Sequence, residues 1–254
     1  MRQSLENKVV IVTGASKGIG AKLVGGLQAL GAKVILTARD ETTLLASARK
    51  DDLVVAGDLM LDSTRERIVQ ETVARYGRID AVINNAGRGS YYTATESPLD
   101  DSRAMFELNF FAPLHLAQLA APWLRKSRGS LVNVSSIAGQ LSLPWLPVYS
   151  ASKFALAALT SGQAMELARN GVHVMAVFPG YVDTDFQAHA AGSCPPDNVV
   201  KGKKFAVSAG ECAAAIIRGM ESRQRVVVTP RIGWPLVVFS RLFPGLVESR
   251  MELR

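Results

Sequence analysis

The sequence predicts an α/β fold in which a seven-stranded parallel sheet is doubly wound, with helices on both faces. Three observations carry this expectation. Apolar, β-rich runs alternate with helically spaced segments almost to the end of the chain. The runs, such as VVIV and VMAVF, are near-continuously hydrophobic, as strands covered on both faces must be. A glycine-rich turn joins the first run to the first helix. In order, the expected strands are Lys8–Thr13, Lys33–Thr37, Leu53–Ala56, Ala81–Ile83, Ser130–Val134, Val172–Phe178 and Arg225–Thr229. Between them lie helical patterns over Ile19–Leu30, Ser63–Tyr76, Leu99–Leu124, Ser150–Ala168 and Ala209–Met220. There is no internal repeat and no Pro/Gly/Ser linker, so residues 1–254 are expected to form one domain. The segments Gly87–Pro98, Ile137–Pro147 and Tyr181–Ala206 each follow a strand, where an open parallel sheet places its ligand crevice.

Composition excludes several classes. With 48% hydrophobic and 20% charged residues among 254, the chain is neither disordered nor fibrous. Two cysteines, Cys194 and Cys212, and three scattered histidines make neither a disulfide framework nor a metal cluster. The opening MRQSLENKVVIVTG has only the short apolar stretch Val9–Val12, unlike a signal-peptide core, and a reducing cytoplasm is the expected compartment. The net charge of +7 is dispersed apart from Lys201, Lys203 and Lys204, which reads as a solvated surface and not as a nucleic-acid footprint.

The first strand runs into Gly14-Ala15-Ser16-Lys17-Gly18-Ile19-Gly20 and then into a helix. The spacing is G-x-x-x-G-x-G, and it meets the needs of a dinucleotide-binding turn. Gly14 allows the tight turn, Gly18 lets backbone approach a pyrophosphate, Gly20 permits close helix packing, and the helix N-terminus offers free N–H groups to an anion. The same letters match the G-x-S-x-G elbow that would make Ser16 a nucleophile, but that elbow needs earlier strands and only thirteen residues precede Gly14. At the end of the second strand, Leu36-Thr37-Ala38-Arg39 shows no acid for the ribose hydroxyls before Asp40. Arg39, Lys17 and Ser16 instead supply two cations and a hydroxyl suited to a 2′-phosphate, which predicts NADP(H) over NAD(H).

Further along come Asn84-Asn85-Ala86-Gly87, Asn109, Ser135-Ser136, Tyr149-Ser150-Ala151-Ser152-Lys153 and Pro179-Gly180. With the glycine turn, this ordered set resembles the short-chain dehydrogenase/reductase superfamily in its single-domain branch, over Lys8 to about Thr184. The resemblance implies a Rossmann-type fold. The residues also make chemical sense by themselves. Tyr149 and Lys153 are four apart, so on a helix their polar ends can converge. A free phenol titrates near about 10, and a neighbouring ammonium favours its phenolate, so Lys153 is expected to tune Tyr149. In carbonyl reduction Tyr149 would give the proton while Ser136 hydrogen-bonds the oxygen as charge develops. By the resemblance, Asn109 would hold a water linking Lys153 to solvent, and Lys153 would also bind the nicotinamide ribose. The same likeness places Asp58 and Leu59 beside the adenine, Asn85, Ala86 and Gly87 along the adenosine, and Val182 and Thr184 near the carboxamide. Asn133-Val134-Ser135 is a formal glycosylation sequon in an expected buried strand and receives no role.

Tyr91, Tyr92, Leu141, Leu143, Trp145, Leu146, Tyr181 and Phe186 make the expected substrate loops bulky and largely uncharged, which suits an apolar ketone or aldehyde. A lid is expected over about 181–207, and its lysines Lys201, Lys203 and Lys204 keep an acyl-carrier substrate, that of a 3-oxoacyl-type reductase, open. The alternative from another class is an NADP(H)-sensing binding protein without turnover. The tail from Val226 to Val247 is broken by Pro230, Pro235 and Pro244 and cannot span a membrane as a helix. It could cover the pocket, pack against a second subunit or lie on an anionic membrane. The helix over Ser150–Ala168 could pair with its symmetry mate, and the resemblance implies a homodimer or homotetramer.

Overall fold

The computed structural model describes residues 3–186, 190–192 and 206–251. In chain order the elements begin with β1 (Val9–Thr13), α1 (Gly18–Ala29), β2 (Lys33–Thr37), α2 (Glu41–Ser47), β3 (Leu53–Val54), α3 (Asp62–Tyr76), β4 (Ala81–Asn84) and β5 (Ser90–Tyr91). Then follow α4 (Leu99–Phe106), a π-helical turn (Glu107–Phe111), α5 (Ala112–Ser127), β6 (Ser130–Val134), a 3-10 turn (Ile137–Gly139) and α6 (Pro147–Ala168). The chain continues with β7 (His173–Pro179), β8 (Val182–Asp183), β9 (Ala191–Gly192), β10 (Val207–Ser208), α7 (Ala209–Glu221), β11 (Val226–Thr229), α8 (Gly233–Leu242) and α9 (Pro244–Met251).

Seven strands form one sheet in the order β11-β7-β6-β4-β1-β2-β3. Every pairing within it is parallel, as the seven expected runs require. The period of two splits each strand between two cores. Val10 and Val12 of β1 face Leu23 and Leu27 of α1 and Ile216 and Ile217 of α7. Val9 and Ile11 face the opposite layer, with Ile68 of α3, Leu116 and Leu124 of α5 and Leu167 of α6. Each such fully buried aliphatic side chain contributes about 1.5–3 kcal/mol, which is why the runs carry so few polar residues. The chain leaves β1 for β2 and β3 on one side and returns to β4 on the other, so the crevice opens at the C-terminal ends of β1 and β4.

Three expectations need correction. The single helix expected over Leu99–Leu124 is α4, a π turn and α5. Pro113 lacks an N–H, and its ring would collide with the Asn109 carbonyl four residues earlier, so the ladder widens there. The third strand stops at Val54 and not Ala56. The tail, expected to be broken by its prolines, folds into two short helices because Pro235 and Pro244 fall in their first turns, where no backbone donor is needed. Helix α2 carried no periodic signal in the sequence; Asp40 starts it by accepting from the Thr43 N–H at 3.2 Å. The lid lysines Lys201, Lys203 and Lys204, and Cys194, lie outside the described residues.

Candidate active site

The glycine turn leaves β1 with Gly14 at φ +66° and Gly18 at φ +56°, a region that side-chain-bearing residues rarely adopt. A Cβ on Gly20 would fall inside the contact shell of the Gly14 carbonyl oxygen, so helix α1 can approach the turn only because that side chain is missing. Thr13 fastens the next loop to this one: its hydroxyl accepts from the Asn85 and Ala86 N–H groups, each at 2.9 Å. The Asn85 side chain donates to the Thr13 carbonyl at 2.9 Å, so it braces the turn itself. Across the crevice, Thr184 Cγ2 lies 3.4 Å from where a Gly18 Cβ would be, so this threonine forms the wall opposite the glycines.

Beside the turn, Ser16 is half-buried while Lys17 and Arg39 are exposed, and among the described residues neither cation is in an ion pair. The one nearby acid is committed elsewhere. Asp40 caps α2, and the Thr43 hydroxyl and N–H hold its carboxyl below the usual carboxylate value. Asp58 accepts from the Met60 N–H at 2.9 Å, and Leu59 is buried in the core, its carbonyl taken by the guanidinium of Arg65 at 2.6 Å.

Helix α6 presents Tyr149 and Lys153 one turn apart, as the spacing requires, and both are buried, at 8% and 3% exposed. The Ser136 hydroxyl, at the end of β6, hydrogen-bonds the phenol. It also accepts from the Ala138 N–H at 3.1 Å, which fixes its direction. Lys153 Nζ donates to the Val134 carbonyl at 3.0 Å and stands 5.9 Å from the centre of the Tyr149 ring. Asn109, in the π turn, is fully buried: its amide donates to the Arg88 carbonyl at 2.9 Å and to Ser152 Oγ at 3.0 Å, and its oxygen accepts from the Arg88 N–H. A Cβ on Gly87 would sit 3.1 Å from Asn109 Oδ1 and 3.4 Å from Lys153 Nζ, so the two side chains converge on that glycine.

Electrostatics differ from the expectation of an acidified phenol. Burial pushes Tyr149 up to about 12, and the Ser136 hydrogen bond only partly opposes it. Burial also pushes Lys153 down, from 10.5 to about 8. Both groups are driven toward their neutral forms.

The loops beside Tyr149 are aromatic. Phe186 packs on Tyr149 with ring centroids 5.8 Å apart. A Cβ on Gly89 would lie 3.0 Å from the Phe186 ring, so that glycine makes room for it. Tyr91 is buried, and burial raises its phenol and pushes that of Tyr181 up to about 12. Pro179 ends β7, and Gly180 donates to the Thr229 carbonyl at 2.8 Å, where a side chain would strike Ile137. Val182 is part of β8, paired with Val207. His173 is a buried structural residue whose Nε2 lies 2.7 Å from the Gln224 carbonyl oxygen. Among the described residues no His, Cys, Asp or Glu group is arranged to hold a metal.

The profile of the short chain dehydrogenase family matches residues 8–193, which contain the glycine turn and all four polar residues just described. The chain is a short-chain dehydrogenase/reductase. Relatives within this superfamily include an 11-beta-hydroxysteroid dehydrogenase-like protein of Arabidopsis thaliana, 32% identical over 98% of this chain and 85% of the relative. Another is an L-fucose dehydrogenase of Bos taurus, 37% identical over 74% of this chain and 71% of the relative. Among solved structures, a short chain dehydrogenase from Burkholderia cenocepacia in complex with NADP superposes with a TM-score of 0.85, at 26% identity over 99% of this chain and all of that one. A short-chain dehydrogenase from Streptomyces avermitilis gives 0.86 at 29% identity, covering 98% of this chain and 97% of that one. For this dehydrogenase/reductase, sequence reasoning did not find Gly89 or Arg65, and it read Ser152 within the Tyr149–Lys153 motif without giving it a role. The nearest signal was the G-x-G pair of Gly87 and Gly89; nothing in the sequence marked the buried arginine.

Proposed function

We propose that this protein is an NADP(H)-dependent reductase that converts a ketone or aldehyde on a bulky, apolar molecule to the alcohol. The observation that carries the reading is the geometry around Tyr149, buried on α6 one turn from Lys153 and beside Ser136. Burial raises the phenol, which keeps its proton at neutral pH and has one to give to a carbonyl oxygen. Ser136, fixed on the phenol and on the Ala138 N–H, supplies a hydroxyl where charge on a carbonyl oxygen would develop. Lys153, held against the Val134 carbonyl, remains largely protonated below about 8 and stabilises the phenolate left behind.

The residues present fit a dinucleotide. Gly14 and Gly20 let the turn close tightly against the Asn85-Ala86 loop and α1, Gly18 leaves its backbone open toward Thr184, and the α1 N-terminus offers free N–H groups to a pyrophosphate. When bound, the nicotinamide supplies the hydride. Lys17 and Arg39, exposed and unpaired with any described carboxylate, support the 2′-phosphate form over NAD(H), the more so because Asp40 is consumed as a helix cap. The aromatic set of Phe186, Tyr91 and Tyr181 supports an apolar substrate. Exposed Phe154 and Met165 on α6 support self-association through that helix.

The test is NADPH consumption against a panel of apolar ketones and aldehydes, alongside Tyr149→Phe and Arg39→Asp. Tyr149→Phe should lower kcat by about 10²–10⁴-fold with NADPH affinity retained. Arg39→Asp should weaken NADPH far more than NADH. Equal losses for the two nucleotides overturn the cofactor assignment, and wild-type turnover in the Tyr149→Phe variant overturns the proton donor.

A further inference from the structure

We propose that the face formed by α8 and α9 docks on the surface of an anionic lipid bilayer. Helix α8 seats Val237 and Ser240 against the body of the protein, and α9 seats Val247. On the other side the two helices present Ile232, Trp234, Val238, Phe239, Leu242 and Leu246 to solvent. Leu242 is 67% exposed and Leu246 50%. The Phe239 and Phe243 rings lie 5.1 Å apart, so the patch is contiguous across the break between the helices. Isolated exposed apolar residues are ordinary, but a run of this size on one face marks an interaction surface.

Charge decides what covers it. Among the described residues from 231 to 251 there are three arginines, Arg231, Arg241 and Arg250, and one acid, Glu248; Glu211 of α7 lines the groove beside Arg231 and Trp234, and the whole chain carries +7. A second copy of this chain would bring arginine toward arginine, whereas an anionic leaflet complements both the aromatic and the cationic parts. No described helix is long and apolar enough to cross a membrane, so the contact is a lateral one, with Trp, Phe and Leu in the interface and the arginines among the headgroups. Docking would bring the active-site mouth to the lipid. Arg241 hydrogen-bonds Gln140, four residues after Ser136, and α8 packs so closely that Gly233 leaves no room for a Cβ against Ile137.

Flotation with vesicles tests this. Wild type should rise with vesicles of phosphatidylcholine containing about 30% phosphatidylserine at low salt and stay behind with phosphatidylcholine alone. Arg231→Gln/Arg250→Gln, both on exposed positions, should lower the partition coefficient by about 30-fold. Leu242→Glu/Leu246→Glu should abolish it, with melting temperature and sedimentation coefficient unchanged. The proposal is overturned if wild type does not float, if it floats equally with neutral vesicles, or if binding survives both double variants. It is also overturned if wild type forms a concentration-dependent dimer that Leu242→Glu/Leu246→Glu dissolves while no vesicle is bound, because a second copy then occupies the face.

Discussion

Replacing Lys153 by Met should make the protein more stable and nearly inactive. The amine is 3% exposed, and burial lowers it from an ordinary 10.5 to about 8. At about 1.4 kcal/mol for each tenfold change in proton affinity, keeping it charged at pH 7 costs about 3 kcal/mol. Methionine has a similar length and needs no proton, so that penalty disappears. Loss of the 3.0 Å hydrogen bond to the Val134 carbonyl gives back about 1 kcal/mol. The net gain of about 2 kcal/mol should raise Tm by about 4–8 °C for a chain of this size. The pH dependence has a definite sign. Between about 8 and 10.5 the unfolded chain holds the lysine proton more tightly than the folded one, so wild-type stability rises with pH relative to the variant. The penalty is full below about 8 and falls to about 1 kcal/mol at pH 10, where the lost hydrogen bond offsets it and the two proteins should be about equally stable. Urea titrations of both proteins at pH 7 and pH 10 measure this, and groups common to both cancel in the difference. A variant less stable than wild type at pH 7, or a gap that does not narrow, refutes the claim that Lys153 is held at a cost for the site's sake.

Gly20→Ala should weaken nucleotide binding by at least about tenfold in calorimetric titration and destabilise the protein by about 1–3 kcal/mol, because the new methyl displaces the Gly14 carbonyl and the turn with it. Arg65→Met should be far more damaging than an ordinary helix substitution. The guanidinium, 3% exposed, holds Glu107 at 2.8 Å and the Leu59 carbonyl at 2.6 Å; Glu107 is one-third exposed and can be resolvated, so the cost, about 1–3 kcal/mol, comes mainly from the buried carbonyl left without its partner. Since Glu107 opens the turn carrying Asn109, kcat should fall as well, with a changed pH profile. A drop in Tm with kcat and its pH profile unmoved would make Arg65 merely structural.

The sheet was legible because its strands are buried on both faces and therefore written in nearly pure Val, Ile and Leu. All seven strands were found this way, each to within two residues at its ends. The site was legible where chemistry demands a residue type at a fixed spacing, as with Tyr149 and Lys153. It was not legible where a side chain acts through a long-range contact. Arg65 is fifty positions from His115 and forty-two from Glu107, distances at which no local pattern distinguishes a buried arginine from a solvated one. The break at Asn109 was in principle readable, since Pro113 stands where a regular helix would need an N–H and Asn109 interrupts the apolar stretch Phe106–Pro113, but helical spacing continues on either side of it. The tail's prolines do interrupt it, but Pro235 and Pro244 stand in the first turns of two short helices that no periodic signal had marked.

Two influences on Tyr149 oppose each other. A nearby ammonium favours the phenolate, whereas burial raises the phenol to about 12. The ammonium matters later, as the proton leaves and negative charge grows on the ring 5.9 Å away. At an effective dielectric of about 20, a charge pair at that separation is worth roughly 3 kcal/mol, or about 100-fold in rate. That stabilisation exists only once the phenolate forms, so it lowers the barrier without stabilising the ground state. In the proposed reduction, burial and the nearby charge would therefore be complementary: the first would keep the proton on Tyr149 until a carbonyl arrives, and the second would ease its departure. In the same proposed reduction, a Ser136 hydroxyl fixed by the Ala138 N–H beside the phenol would stabilise charge on the substrate oxygen with little reorganisation.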